Sequence, residues 1–244
     1  MSIDYTKNPD WFKIDGVSSK DKGIWLDTPP VPPMAKQRYT SFQTSTDEDR
    51  TTPDDSFEDV KYKLVFYTFD NSDYDNREIY SYIQGAKQLE ISKLDGLYFK
   101  VRQVELSSAD ASYQGKKIKY TATFTLAPFK YAVSNDPVEI ESGDYITNEG
   151  SRYSKPLIEL SGAGTIQLVF NNIPYTVTLP STGEVVYIDS DRYITYDKTT
   201  HQVLHNAVSG QYPMLGSGNN SFTITLDTGA SVDYVKMQKN ERWY

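Results

Sequence analysis

The sequence predicts a mainly β chain in two domains, and three observations carry that prediction. Residues 117–126 alternate strictly: Ile118, Tyr120, Ala122, Phe124 and Leu126 fall on one face, Lys117, Lys119, Thr121, Thr123 and Thr125 on the other. A period of two marks an antiparallel strand with one side on a core and the other in water. Residues 165–170 and 173–179 form two arms with apolar residues in phase around Asn171-Asn172, a pair that tolerates the positive φ of tight hairpin turns. Strand candidates at 185–189, 192–196, 222–226 and 232–237 follow between turn residues, the pattern of a sandwich or barrel.

From the N-terminus, residues 25–59 read as an extended arm, with Pro29, Pro30, Pro32 and Pro33 followed by a Thr/Ser-rich passage and the acidic residues Asp47, Glu48, Asp49, Asp54 and Asp55. One strand is expected there, at 39–43. Residues 64–69 are apolar and aromatic apart from one threonine and predict a buried strand. A short helix follows: Asp75 with Glu78 three residues on is an acidic variant of the capping box, and Gly85 suits the C-terminal cap. Ile79, Tyr82 and Ile83 share one helical face, and so short a helix is stable only when that face docks on a sheet. Strands are expected at 89–91 and 98–106, and Pro128 is expected to end the alternating strand because it cannot donate to a ladder. The composition changes near 132–140, which predicts domains at 1–134 and 135–244 with no long linker.

Composition excludes several classes. The 244 residues are 38% apolar and 24% charged, ordinary for a folded globular chain. No apolar run of the roughly 18 residues needed to span a bilayer occurs, so no membrane partner is expected. Zero cysteines remove disulfides, thiolate nucleophiles and cysteine-based metal sites. A net charge of −8 argues against specific nucleic-acid binding, which needs clustered Lys and Arg. The 20 tyrosines suit strands and interfaces.

Chemistry-bearing motifs are scarce. His201 and His205 have the spacing of metal ligands on a helix, but a turn and short strand are expected there, holding them more than 10 Å apart at roughly 3.3 Å per residue. The acidic residues between 47 and 59 are local to one loop rather than paired across a cleft. Gly162-Ala163-Gly164 lacks the third glycine and following helix of a dinucleotide loop and reads as a strand-to-strand turn. There is no Gly-x-Ser-x-Gly and no P-loop. The expectation is a binding or assembly protein, not an enzyme, with no cofactor and no metal.

Two stretches carry a family resemblance. The first runs from Asn76 and Arg77 through Ile79, Leu89, Tyr98 and Phe99 into Thr123-Phe124-Thr125-Leu126-Ala127-Pro128-Phe129. The second comprises Asn148-Glu149-Gly150, Ser154-Lys155-Pro156-Leu157-Ile158, Gly162-Ala163-Gly164, Ile188-Asp189, Gly210-Gln211-Tyr212-Pro213-Met214-Leu215 and Gly218-Asn219-Asn220. In this order they resemble the distal tail protein (Dit) family of siphophages that infect Gram-positive bacteria. Pro128, Phe129, Asn148, Gly150, Pro156, Gly162, Gly164, Asp189, Gly210, Pro213, Gly218 and Asn220 are the structural motif positions it marks.

The resemblance implies two β-sandwich domains: an N-terminal tail-hub domain that closes a homo-hexameric ring, and a galectin-like C-terminal domain outside it. It implies a virion tail-tip location after assembly in the host cytoplasm. The partners implied are the tail tube protein, a tail-associated tip or lysin protein, and receptor-binding or baseplate proteins through the C-terminal domain. One departure is that no glycine occurs from Ile24 to Gln84, where the family carries a glycine-containing turn; Thr46 to Asp59 occupy the place.

The rival reading is a carbohydrate-binding module for cell-wall attachment. Galectins carry a His-x-Asn-x-Arg stretch, which neither His201-Gln202-Val203 nor His205-Asn206-Ala207 matches, and the second half has a single tryptophan, Trp243. A third reading, a wall-degrading enzyme, has no catalytic constellation to support it.

Overall fold

A computed structural model describes residues 9–43, 49–69, 73–107, 110–111 and 117–244. The chain is mainly β and divides into two units, residues 1–133 with Tyr244, and residues 134–243.

The first unit contains β1 (Phe12–Ile14), β2 (Val17–Ser18), β3 (Trp25–Leu26), β4 (Gln37–Gln43), β5 (Asp49–Phe57), β6 (Val60–Phe69), α1 (Asp73–Gln84), β7 (Gln88–Ile91), β8 (Leu97–Leu106), β9 (Asp110–Ala111) and β10 (Lys117–Ala132). Its main sheet runs β2-β1-β7-β8-β10-β6-β3, with β9 also on β10. The sheet folds over on itself: the Phe12 ring of β1 lies 5.9 Å from the Phe66 ring of β6, although β7, β8 and β10 separate the two strands along the hydrogen-bonded path. The alternation in β10 places Tyr120, Ala122, Phe124 and Leu126 in this core, all fully buried. From α1, Ile79 and Ile83 are buried, while Tyr82 stacks on Phe12 and donates its hydroxyl to the Val17 carbonyl at 2.8 Å.

Three local expectations need correction in this unit. The helix begins at Asp73, so Asp75 lies inside the first turn and is not its cap. Pro128 does not end β10. Instead the register on β8 jumps from Leu126↔Val101 to Lys130↔Phe99, and Ala127, Pro128 and Phe129 sit in the bulge, where a missing N–H costs no ladder bond. The arm is a hairpin rather than an extended loop: β4 pairs β5 from Gln43↔Asp49 to Gln37↔Phe57, and Trp25 and Leu26 belong to the main sheet through Tyr67 and Phe66 of β6. Asp47 and Glu48 of the acidic group lie outside the described residues. At the base of this hairpin the Phe57 ring meets those of Phe129, 5.2 Å away, and Tyr244, 5.4 Å away.

The second unit contains β11 (Val138–Glu139), β12 (Tyr145–Asn148), β13 (Leu157–Phe170), β14 (Ile173–Asp189), β15 (Ile194–Asp197), β16 (Val208–Gly210), β17 (Gly218–Leu226) and β18 (Ser231–Gln238). Asn171 and Asn172 both take positive φ, 50° and 65°, in the turn between β13 and β14. That hairpin serves two layers. Near its open end it lies in the order β11-β18-β13-β14-β15; near its turn the neighbours are β17 and β16, with β12 beyond β17. Ile158, Leu160, Val186 and Ile188 from the first layer share one core with Ile166, Leu168, Tyr175 and Phe222 from the second.

Gly162-Ala163-Gly164 is the corner at which β13 passes between layers, not a turn joining two strands. A Cβ on Gly162 would stand 2.3 Å from the Ser231 carbonyl oxygen, and Gly164 has φ +76° with its Cβ position 2.9 Å from Ala230. No other residue type fits such a close crossing of backbones.

Candidate assembly elements

The residues marked by sequence fall into separate places. Asn148, Gly150, Gly218 and Asn220 come together around the loop that carries Leu215 and Gly216. Asn148 is buried; its Nδ2 donates to the carbonyls of Arg152, Leu215 and Gly216 at 2.9, 3.2 and 3.1 Å, and its Oδ1 accepts from the Gly150 amide at 3.0 Å. Asn220 is equally buried; its Nδ2 donates to the carbonyls of Ile146, Gly216 and Gly218, and its Oδ1 accepts from the Gly216 amide and from Asn171 Nδ2, both at 2.7 Å. Gly150 is required because a Cβ would stand 2.5 Å from the Arg242 carbonyl oxygen. These two amides satisfy loop backbone groups that would otherwise be buried without partners, at a cost of about 1–3 kcal/mol each.

The other positions are apart from this cluster. Pro156 is buried just before β13, and its carbonyl accepts from the Ser190 amide at 3.2 Å. Asp189 ends β14, where its Oδ1 accepts from the amides of Asp191 and Arg192 and so closes the turn into β15. Gly210 ends β16 opposite Tyr175, Pro213 is buried in the following loop, and Gly162 and Gly164 make the corner. Pro128 and Phe129 lie in the β10 bulge of the first unit. His201 has φ 57° in the turn after β15, and His205 opens a three-residue 3-10 turn. Among the described residues, no group of three or more His, Asp or Glu is placed to hold a metal ion, and no helix is long and apolar enough to cross a membrane.

Two features escape sequence reading. The approach to the arm holds Val31 and Met34 outward, 73% and 79% exposed, and Tyr39 of β4 is 63% exposed. A cleft of about 390 Å³ lies at its base, lined by Pro33, Met34, Lys36, Glu58, Asp59, Val60 and Lys61. Apolar side chains in a proline-rich stretch have no period to reveal which way they point. The second feature is a polar network on the outer face of the first layer of the second unit, where Glu159 Oε1 accepts from Lys198 Nζ at 2.8 Å and from the Tyr234 hydroxyl at 2.7 Å. Burial opposes ionisation of Glu159, yet hydrogen bonds from Lys198, Tyr234 and Tyr187 outweigh it and hold the carboxyl below its ordinary range. Only strand register brings side chains of β13, β14 and β18 and of the residue after β15 to one point, so linear spacing carries no trace of it.

No family model and no curated protein sequence matches this chain. Among solved structures, the crystal structure of the SPP1 Dit (gp 19.1) protein, described as a paradigm of the hub adsorption apparatus in phages infecting Gram-positive bacteria, matches with a TM-score of 0.69 and 11% sequence identity. The likeness covers 96% of this chain and 99% of that one. The fold of this chain is therefore similar to that of a phage distal tail protein over essentially its whole length.

Proposed function

We propose that this chain is a structural hub protein of a phage tail tip, six copies of which close a ring between the tail tube and the host-recognition apparatus. The first unit is the ring-forming part in this reading, and the second is the galectin-like outer domain. The observation that carries it is the extent of the fold likeness to the SPP1 protein, which takes in both units with almost nothing left over on either side. A catalytic role is not part of this reading; the buried amides of Asn148 and Asn220 close loops. The tail tube protein, a tail-associated tip protein and receptor-binding or baseplate proteins are the partners, and the virion tail tip is the location. The acidic balance of −8 suits a ring through which DNA slides without adhering.

Negative-stain averaging of the purified chain tests this reading. Six-fold rings with a central channel are the expected image. Single particles without rings, together with saturable signals on a glycan array, would instead favour the carbohydrate-binding module.

A further inference from the structure

The sandwich of the second unit is left open along one side. β11 pairs only with Lys236 and Met237 of β18, and the Ile140 amide donates to the Val235 carbonyl just beyond. Among the described residues Ser231 to Tyr234 are thus paired through β13 alone. On the other layer β12 covers β17 only from Gly218 to Ser221; past it, the Phe222 amide donates to the Asp144 carbonyl and the Ile224 amide to Ser142 Oγ. Between these two partly covered edges lies a cleft of about 330 Å³, floored by Ile140, Ile224, Leu226 and Val232. A second cleft, of about 220 Å³, adjoins it and shares Glu139 and Ile140 as a wall.

Carboxylates predominate along both clefts, with Lys236 opposite Glu139 in the ladder. Glu139, Glu141, Asp144 and Asp233 supply carboxylates, and the single lining cation, Lys239, is held by Glu241 Oε1 at 2.8 Å and the Thr147 carbonyl at 3.0 Å. Glu139 and Glu141 have no ion-pair partner among the described residues. Val138 and Leu226, 52% and 45% exposed, present aliphatic surface beside them. The floor is aliphatic, with Tyr145 and Tyr234 also lining the clefts, and apolar side chains and lysine stems fit it. Strand edges offer backbone groups to an incoming strand, the means by which extended peptides add to sheets.

We propose that this double cleft is a docking site for an extended polypeptide segment in which basic residues alternate with aliphatic ones, supplied by a partner protein. Aliphatic side chains enter the floor, Lys or Arg side chains reach Glu139 and Glu141, and the segment's backbone runs along the edge left by β11. The inference stands independently of the ring.

The test uses the full chain and fluorescein-labelled hexapeptides that alternate Lys with Val or Leu, read by fluorescence anisotropy. The account expects saturable binding with half-saturation on the order of 1–100 μM. It expects at least a tenfold loss in the double variant Glu139→Lys, Glu141→Lys, and a similar loss in Leu226→Asp. The same peptides with Glu in place of Lys should not bind. These positions are exposed, so unchanged circular dichroism and melting of the variants serve as the folding control. Absence of saturable binding overturns the proposal, as does binding unaffected by either variant. Loss with the charge reversals but not with Leu226→Asp also overturns it, because that is unspecific attraction to an acidic surface. Self-association abolished by Leu226→Asp, with no peptide binding, assigns the cleft to a second copy and overturns it too.

Discussion

The hairpin of β4 and β5 in the first unit and that of β13 and β14 in the second are both antiparallel, yet they are held in opposite ways. The second has sheet neighbours along most of β13 and at both ends of β14, and it buries alternate side chains in a core shared by two layers. The first is a two-stranded sheet with no third strand among the described residues, and Arg38, Tyr39, Thr40 and Ser41 are exposed. An isolated pair of strands is marginally stable in water. The difference separates a hairpin held in a core along its length from one held by its own unit at its base, through Phe57 against Phe129 and Tyr244.

The sharpest way to break the comparison is at the corner of the stable hairpin. Gly162→Ala puts a methyl group against the Ser231 carbonyl, and we expect urea denaturation to show a loss of about 3 kcal/mol or more, with the second unit failing first. Asn220→Ala comes next: several loop groups lose their partner at once, and the expected cost is about 2–3 kcal/mol by the same measurement.

A smaller effect is expected from Glu159. Its folded carboxyl titrates below the ordinary value, so its ionised form contributes stability above the unfolded value and loses it as pH falls through the folded one. Urea midpoints measured from pH 7 downward should therefore fall more steeply through the carboxylate range for the parent than for Glu159→Gln. The smallest effect on stability belongs to the arm. Tyr39→Ser should leave the melting of the chain within about 0.5 kcal/mol of the parent while weakening ring formation, because the residue is exposed in the single chain.

How far each feature was legible follows from what fixes it. The turn at Asn171-Asn172 and the buried face of β10 were readable because they depend on local φ and on a period of two. The length of β13 and β14 was not. Gly162-Ala163-Gly164 looks like a break between strands, and only the crossing of β18 behind it makes it an interior corner. The strand β5 is not legible because Pro53-Asp54-Asp55 is unfavourable strand sequence, tolerated on a sheet that has two strands among the described residues. The order of motif residues pointed to a fold that the SPP1 likeness supports. Their spatial grouping could not be read, since Asn148 and Asn220 meet through a loop distant in sequence from the first of them.

The measurement that tests the hub reading most directly is the solution mass of the purified chain by size-exclusion chromatography with light scattering. A closed hexamer predicts about 170 kDa, six times the 27.8 kDa chain, constant over a wide range of concentration. A particle that remains at the mass of one chain at every concentration, and also in the presence of the tail tube protein, would contradict it.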